Sequence, residues 1–277
     1  MSADRNEQDW EPAAVQDESR LTFMNEDVLA YIFHFLAIDD KMLNLGGWDW
    51  VIIRSVCRRW HAVADGTPRL WSYIYSWKDY KRTLTFLRLS RYGDLTVDFS
   101  VQSVKASSEE GRVLKISAGA ILRELQRISF LRLPLYLMWM SDFAHLLQQP
   151  APRMRQIHLY NIEPPRDCVV SLPEMNGALQ SVSLKGIRPS SDICCLKDLT
   201  EVYLRFEGLL LSNLIPMLLN CPKLTSLSIW TKSHFSTLHI PDTTVQLSSL
   251  RYLSIILPDA SSINSFLRSI AVPRLSC

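Results

Sequence analysis

Glycine is scarce here: nine residues in a chain of 277, none in a phosphate-cradling G-x-G-x-x-G or P-loop arrangement. That removes the loops with which nucleotide-binding enzymes bring backbone N–H groups against phosphate. The nucleophile elbow G-x-S-x-G and the zinc-protease pattern H-E-x-x-H are missing too. Six cysteines, Cys57, Cys168, Cys194, Cys195, Cys221 and Cys277, form no C-x-x-C pair and no Cys/His set at zinc spacing. Reduced thiols in a reducing compartment are expected. No apolar run approaches the roughly 20 residues a membrane helix needs. The densest, Leu133 to Met140, is short and carries Pro134. The polar opening of the chain lacks a signal-peptide core. Neither sign of charge dominates, with 30 Lys and Arg against 28 Asp and Glu. Basic residues come in short pairs such as Arg58-Arg59 and Lys81-Arg82, a poor match to nucleic-acid binding. These absences predict a non-enzyme of the cytoplasm, the nucleus or both, with no cofactor, metal, nucleic-acid or membrane partner.

What the chain does have is 47% hydrophobic residues, enough for a packed core. Residues 1–20 stand apart: Asp4, Glu7, Asp9, Glu11, Asp17 and Glu18 with almost no aliphatic side chains predict a disordered acidic tail. From 21 to 76 the pattern is helical. Val28, Leu29, Ile32, Phe33 and Leu36 form one stripe, with Asn25 as N-cap and Glu26 and Asp27 in the first turn. After a break at Gly46-Gly47, a second stripe runs Ile53, Val56, Trp60 and Val63-Ala64. Gly66-Thr67-Pro68 ends that helix and opens a short third one with Leu70 and Trp71.

Beyond residue 76, Leu84 and Leu87 suggest a helix, Leu95 to Val101 alternates as a strand does, and 102–112 reads as a polar loop. Then the pattern L-x-x-L-x-L recurs at Leu125/Ile128/Phe130, Met154/Ile157/Leu159, Leu179/Val182/Leu184, Leu199/Val202/Leu204, Leu224/Leu227/Ile229 and Leu250/Leu253/Ile255. Successive starts are 29, 25, 20, 25 and 26 residues apart, in the leucine-rich-repeat range. Leu214/Met217/Leu218 and Ile263/Phe266/Leu267/Ile270 supply helical spacing between strands. The expected fold is α/β: a three-helix module followed over 77–277 by an irregular leucine-rich-repeat solenoid with a curved parallel sheet. The polar Asn or Cys that regular repeats place after each strand is absent, hence the irregularity. Leu275 looks like the start of another copy, so the solenoid is expected to be incomplete at its C-terminus.

Side chains between the buried strand positions should line the concave surface. Tyr160, Lys185, Tyr203, Arg205 and Trp230 are the candidate target-binding residues, since exposed aromatic and Arg side chains make protein-binding hot spots. The plainer reading is that they are ordinary strand formers.

Three short motifs, Asp27-Val28-Leu29 leading to Ile32-Phe33, Val56-Cys57-Arg58-Arg59-Trp60, and Thr67-Pro68-Arg69-Leu70-Trp71, together resemble the F-box. The match is to F-box-like modules of fungal, mushroom-type proteins, which are usually followed by degenerate leucine-rich repeats. Met24-Asn25 stands where that family has Leu-Pro, and 39–49 is longer than usual. The resemblance implies a substrate-recognition subunit of an SCF-type ubiquitin ligase. It would bind the Skp-type adaptor, and through it a cullin, by Met24, Val28, Leu29, Ile32, Phe33, Val56, Cys57 and Trp60. The alternative is a repeat scaffold that engages no ubiquitin ligase, its helices a simple cap on the solenoid.

Overall fold

The computed structural model describes residues 24–42, 49–75, 79–100, 104–161, 168–170, 179–189, 197–206, 211–232 and 244–271. The acidic tail, the Gly46-Gly47 break and the repeat start at Leu275 lie outside these residues. The chain divides into two compact units, Met1–Leu70 and Trp71–Cys277.

In the first unit, α1 (Glu26–Met42) starts at Asn25, whose side chain accepts from the Asp27 N–H at 3.0 Å. Glu26 and Asp27 then sit where the unpaired N–H groups of the first turn favour negative charge. A 3-10 helix, Asp49–Ser55, and α2 (Arg58–Gly66) pack against α1. The stripe from Ile53 to Val63 predicted one helix, but the backbone breaks at Cys57. That residue is extended, and its Sγ accepts from the Trp60 N–H at 3.5 Å as the N-cap of α2. The break ends the helical periodicity, so Ile53 stays in the core while Val56 turns outward. The Phe33 and Trp60 rings meet at 5.1 Å, and Arg54 pairs with Asp65 at 2.8 Å.

The second unit runs β1 (Tyr73–Ile74), α3 (Tyr80–Leu89), β2 (Leu95–Asp98), α4 (Glu109–Leu122), β3 (Ile128–Leu135), α5 (Met140–Leu147), β4 (Gln156–Asn161), β5 (Cys168–Val170) and β6 (Ser181–Lys185). It continues with β7 (Ile187–Pro189), β8 (Glu201–Phe206), α6 (Leu211–Leu219), β9 (Ser226–Thr231), β10 (Val245–Gln246), β11 (Tyr252–Ile256), α7 (Ala260–Ser269) and β12 (Ile270–Ala271). Among the described residues, eight strands form one parallel sheet in the order β1-β2-β3-β4-β6-β8-β9-β11. Each strand therefore lies beside its predecessor in that series. Two-stranded parallel pairs, β5–β7 and β10–β12, stand apart from it.

Register makes the periodicity physical. Ile74, Val97, Leu131, Ile157, Val182, Val202, Leu227 and Leu253 face one another in a single row across the sheet. All but Leu253, on the last strand, are buried. A backbone ladder precedes the strands: the N–H of Arg155 bonds the carbonyl of Ser129, Gln180 that of Arg155, Thr200 that of Gln180, Thr225 that of Thr200, and Arg251 that of Thr225.

The ladder corrects the first repeat. Because Arg155 pairs with Ser129, Met154 is equivalent to Ile128 and not to Leu125. The inward set is Ile128/Leu131/Leu133, and Phe130 stands on the other face. Leu125–Arg127 is a 3-10 turn, held where Arg127 donates to the Leu87 carbonyl at 2.8 Å and pairs with Glu124 at 2.8 Å. In the corrected register Tyr136 falls at the position where regular repeats carry Asn or Cys. Its hydroxyl donates to the Val104 carbonyl, so one copy meets the loop backbone with a phenol.

Two further readings change. The stretch 102–112 is not all loop, for α4 begins at Glu109. Ser108 caps it by accepting from the Gly111 N–H at 3.1 Å, with Glu109 and Glu110 in the first turn. Serine and acid side chains that look solvated in composition are here a helix start. Ile270, counted with the last helix, instead opens β12 after α7 ends at Ser269.

The start of α4 also yields a test. A Cβ at Gly111 would collide with the backbone carbonyls of Lys105 and Ala106. Alanine for glycine normally stabilises a helix by about 1 kcal/mol. Gly111→Ala is expected to reverse that sign and cost about 1–3 kcal/mol, as overpacking against backbone does. A urea midpoint equal to or above that of the parent chain would contradict the close approach.

Candidate functional site

Two surfaces collect the residues singled out by sequence. The first lies on α1. Leu29 and Phe33, expected to face a partner, are 1% and 0% exposed and belong to the core. Val28 and Ile32 are exposed, as are Tyr31, Phe35, Leu36 and Ile38, which sequence reading left out of the docking set. At 100° per residue the exposed group covers an arc of about 160°, next to the buried Leu29/Phe33 seam. One apolar stripe is thus really two neighbouring ones, because helical spacing says that residues share a side but not how wide the covering layer is. Ile52 and Val56, 70% and 54% exposed, add apolar surface after α1.

The remaining members of that set divide. Cys57 is exposed, with its sulfur occupied as a helix cap, while Met24 and Trp60 are half-buried. Arg59 donates to the Met24 carbonyl and fixes the chain just before α1. A contiguous exposed apolar surface of this kind is the usual mark of a protein-binding site.

The second surface is the open face of the sheet. Tyr160, Lys185, Arg205 and Trp230 are consecutive partners in the β4–β6–β8–β9 ladder, so they occupy one row. Tyr203 falls in the neighbouring row, level with Ser183 and Ser228. The Arg205 guanidinium lies 4.3 Å from the centre of the Trp230 ring, and the Lys232 ammonium 5.6 Å from it. Tyr160 serves the fold as well: its hydroxyl donates to the Phe99 carbonyl. Arg132, nearer the first strand, is matched by Asp98 at 3.0 Å.

His158 sits on this face with its ring 5.3 Å from Phe130. Burial, then the Arg132 charge, push its pKa down, against weaker opposing effects of Asp98 and Glu201. The folded state thus disfavours the imidazolium that the unfolded chain forms below about pH 6.5. Its contribution to stability is intact above that value and declines as the pH falls through it. The drop in urea midpoint between pH 7 and pH 5 should be smaller for His158→Gln than for the parent. An equal or larger drop in the variant would show that His158 is not the responsible group.

Among the described residues, no group of three or more His, Cys, Asp or Glu could hold a metal ion. The buried Cys221 thiol, pushed up to about 12 by desolvation, donates to the Met217 carbonyl at 3.2 Å and stays protonated. No described helix is long and apolar enough to cross a membrane.

No curated protein and no solved structure matches this chain. Residues 26–76, from the first residue of α1 to just past β1, match the family model described as F-box-like, and this segment of the chain is an F-box-like domain.

Proposed function

We propose that this protein is the substrate-recognition subunit of an SCF-type ubiquitin ligase. The F-box-like segment binds the Skp-type adaptor and, through it, a cullin. The following strands form a degenerate leucine-rich-repeat solenoid, of the kind that accompanies F-box-like modules in fungal proteins, and their open face holds a target protein. The protein performs no chemistry of its own. It raises the local concentration of a target near a charged conjugating enzyme, and works in the cytoplasm, the nucleus or both.

One observation carries this reading: within the matched segment, α1 leaves six large apolar side chains exposed beside its buried seam. Leaving that much apolar surface in water costs about 25 cal/mol per Å², a cost that a covering partner removes. The repeat assignment is supported by the in-register buried row and by corrected steps of 26, 25, 20, 25 and 26 residues between starts at 128, 154, 179, 199, 224 and 250.

The test is capture of a purified Skp-type adaptor by the full-length chain, read by co-elution in size-exclusion chromatography. A stable complex is expected. Folded chain eluting apart from the adaptor would reject the ligase reading and leave a repeat scaffold.

A further inference from the structure

We propose that Lys185, Arg205 and Trp230 recognise an extended acidic segment of the target through its Asp or Glu carboxylates. This rests on the reading of the open sheet face as the target-binding surface and names the chemistry that it selects.

Among the described residues, charge on this part of the face is one-sided. Lys185 and Arg205 are register partners on neighbouring strands, and neither makes an ion pair among the described residues. Arg132, on the same face toward the other end of the sheet, is neutralised by Asp98. Glu201 shares the face of β8, but four residues of strand place its backbone about 13 Å from that of Arg205. Among the described residues, Lys185 and Arg205 therefore lack the carboxylate that balances Arg132.

The row is also pre-organised. Its place over the Trp230 ring, 4.3 Å from the centre, restrains the Arg205 guanidinium, so less side-chain entropy is lost on binding. Beside it, Ser183 and Ser228 flank the exposed Tyr203 and offer hydroxyls. Those hydroxyls can bond the backbone of an extended chain lying along the cationic and aromatic row. Strands lie about 4.8 Å apart, so Lys185 and Trp230 are separated by about 10 Å, the reach of three extended residues. Two acidic side chains two or three positions apart would meet Lys185 and Arg205 together. A neutral or basic segment would leave these cations unmatched.

The experiment uses the biotinylated full-length chain and a phage library of random 12-residue peptides. Selected peptides are expected to be enriched in Asp and Glu, and Lys185→Glu with Arg205→Glu should abolish that enrichment while circular dichroism remains unchanged. The leading peptide, made synthetically, should lose at least about 30-fold in affinity when its Glu residues become Gln or when the double variant replaces the parent. Its affinity should fall with added salt, since exposed charges are screened within about 10 Å at 0.1 M. Selection without acidic enrichment overturns the proposal. So does equal affinity of the Gln peptide, or binding only by a phosphoserine version.

Adaptor capture run in parallel separates the two readings. Capture without acidic enrichment removes this inference and leaves the receptor role standing. Enrichment without capture does the reverse.

Discussion

Aspartate at Val28, Ile32 and Phe35 together is expected to reduce adaptor capture at least about 100-fold while leaving the chain folded. All three side chains are exposed on α1, between 37% and 49%, so their replacement removes little from the core. At a covered interface the same change removes three apolar anchors and buries unpaired carboxylates, each a cost of several kcal/mol. The contrast within the same helix is Phe33→Ala. Phe33 is enclosed and packed against Trp60 with the rings tilted, so its truncation should cost about 3–5 kcal/mol of stability and affect binding only through unfolding. Ile116→Asp and Leu267→Asp serve as controls, being exposed apolar positions on α4 and α7 of the other unit. Capture should survive them. Undiminished capture by the triple variant, with calorimetry showing a folded chain, would remove α1 from the docking surface.

The second large effect tests the repeat register. Leu131→Ala should destabilise the second unit by about 2–5 kcal/mol, whereas Phe130→Ala should cost about 1 kcal/mol or less. Leu131 is fully buried and aligned with Val97 and Ile157. Phe130 lies on the open face beside His158, with the Arg132 guanidinium 5.6 Å from its ring. A register one residue away would exchange the two faces. Equilibrium urea unfolding of both variants decides between the frames, and a larger loss for Phe130→Ala would restore the frame starting at Leu125.

The same pair shows how legible this chain is. From Met154 to Ile229 the repeat can be read directly, since the apolar residues that fit the pattern are the buried ones; in the last copy only Leu250 is buried. At its first copy two frames compete, because Leu125, Ile128, Leu131 and Leu133 are all apolar. Only the neighbouring strand chooses between them, through the Arg155 to Ser129 hydrogen bond. β1 was missed for a related reason: a two-residue strand carries no periodicity of its own and exists because Leu95–Asp98 lies beside it. The start of α4 was different. Ser108 followed by Glu109-Glu110 is a local capping signal that the bulk polarity of 102–112 conceals.

The candidate surfaces divide in the same manner. That Lys185, Arg205 and Trp230 would stand together follows from repeat spacing, because equal steps between parallel strands bring equivalent positions into one row. That Arg205 stacks on Trp230 depends on rotamers, which no spacing determines. On α1 the sequence alone established an apolar helix with an Asn25 cap, since capping and 3.6-residue periodicity act within a few residues of chain. Which of its apolar residues are covered was decided by the tertiary structure. Leu29 and Phe33 are enclosed by elements distant in sequence, and that enclosure leaves Val28, Ile32 and Phe35 uncovered in the chain by itself.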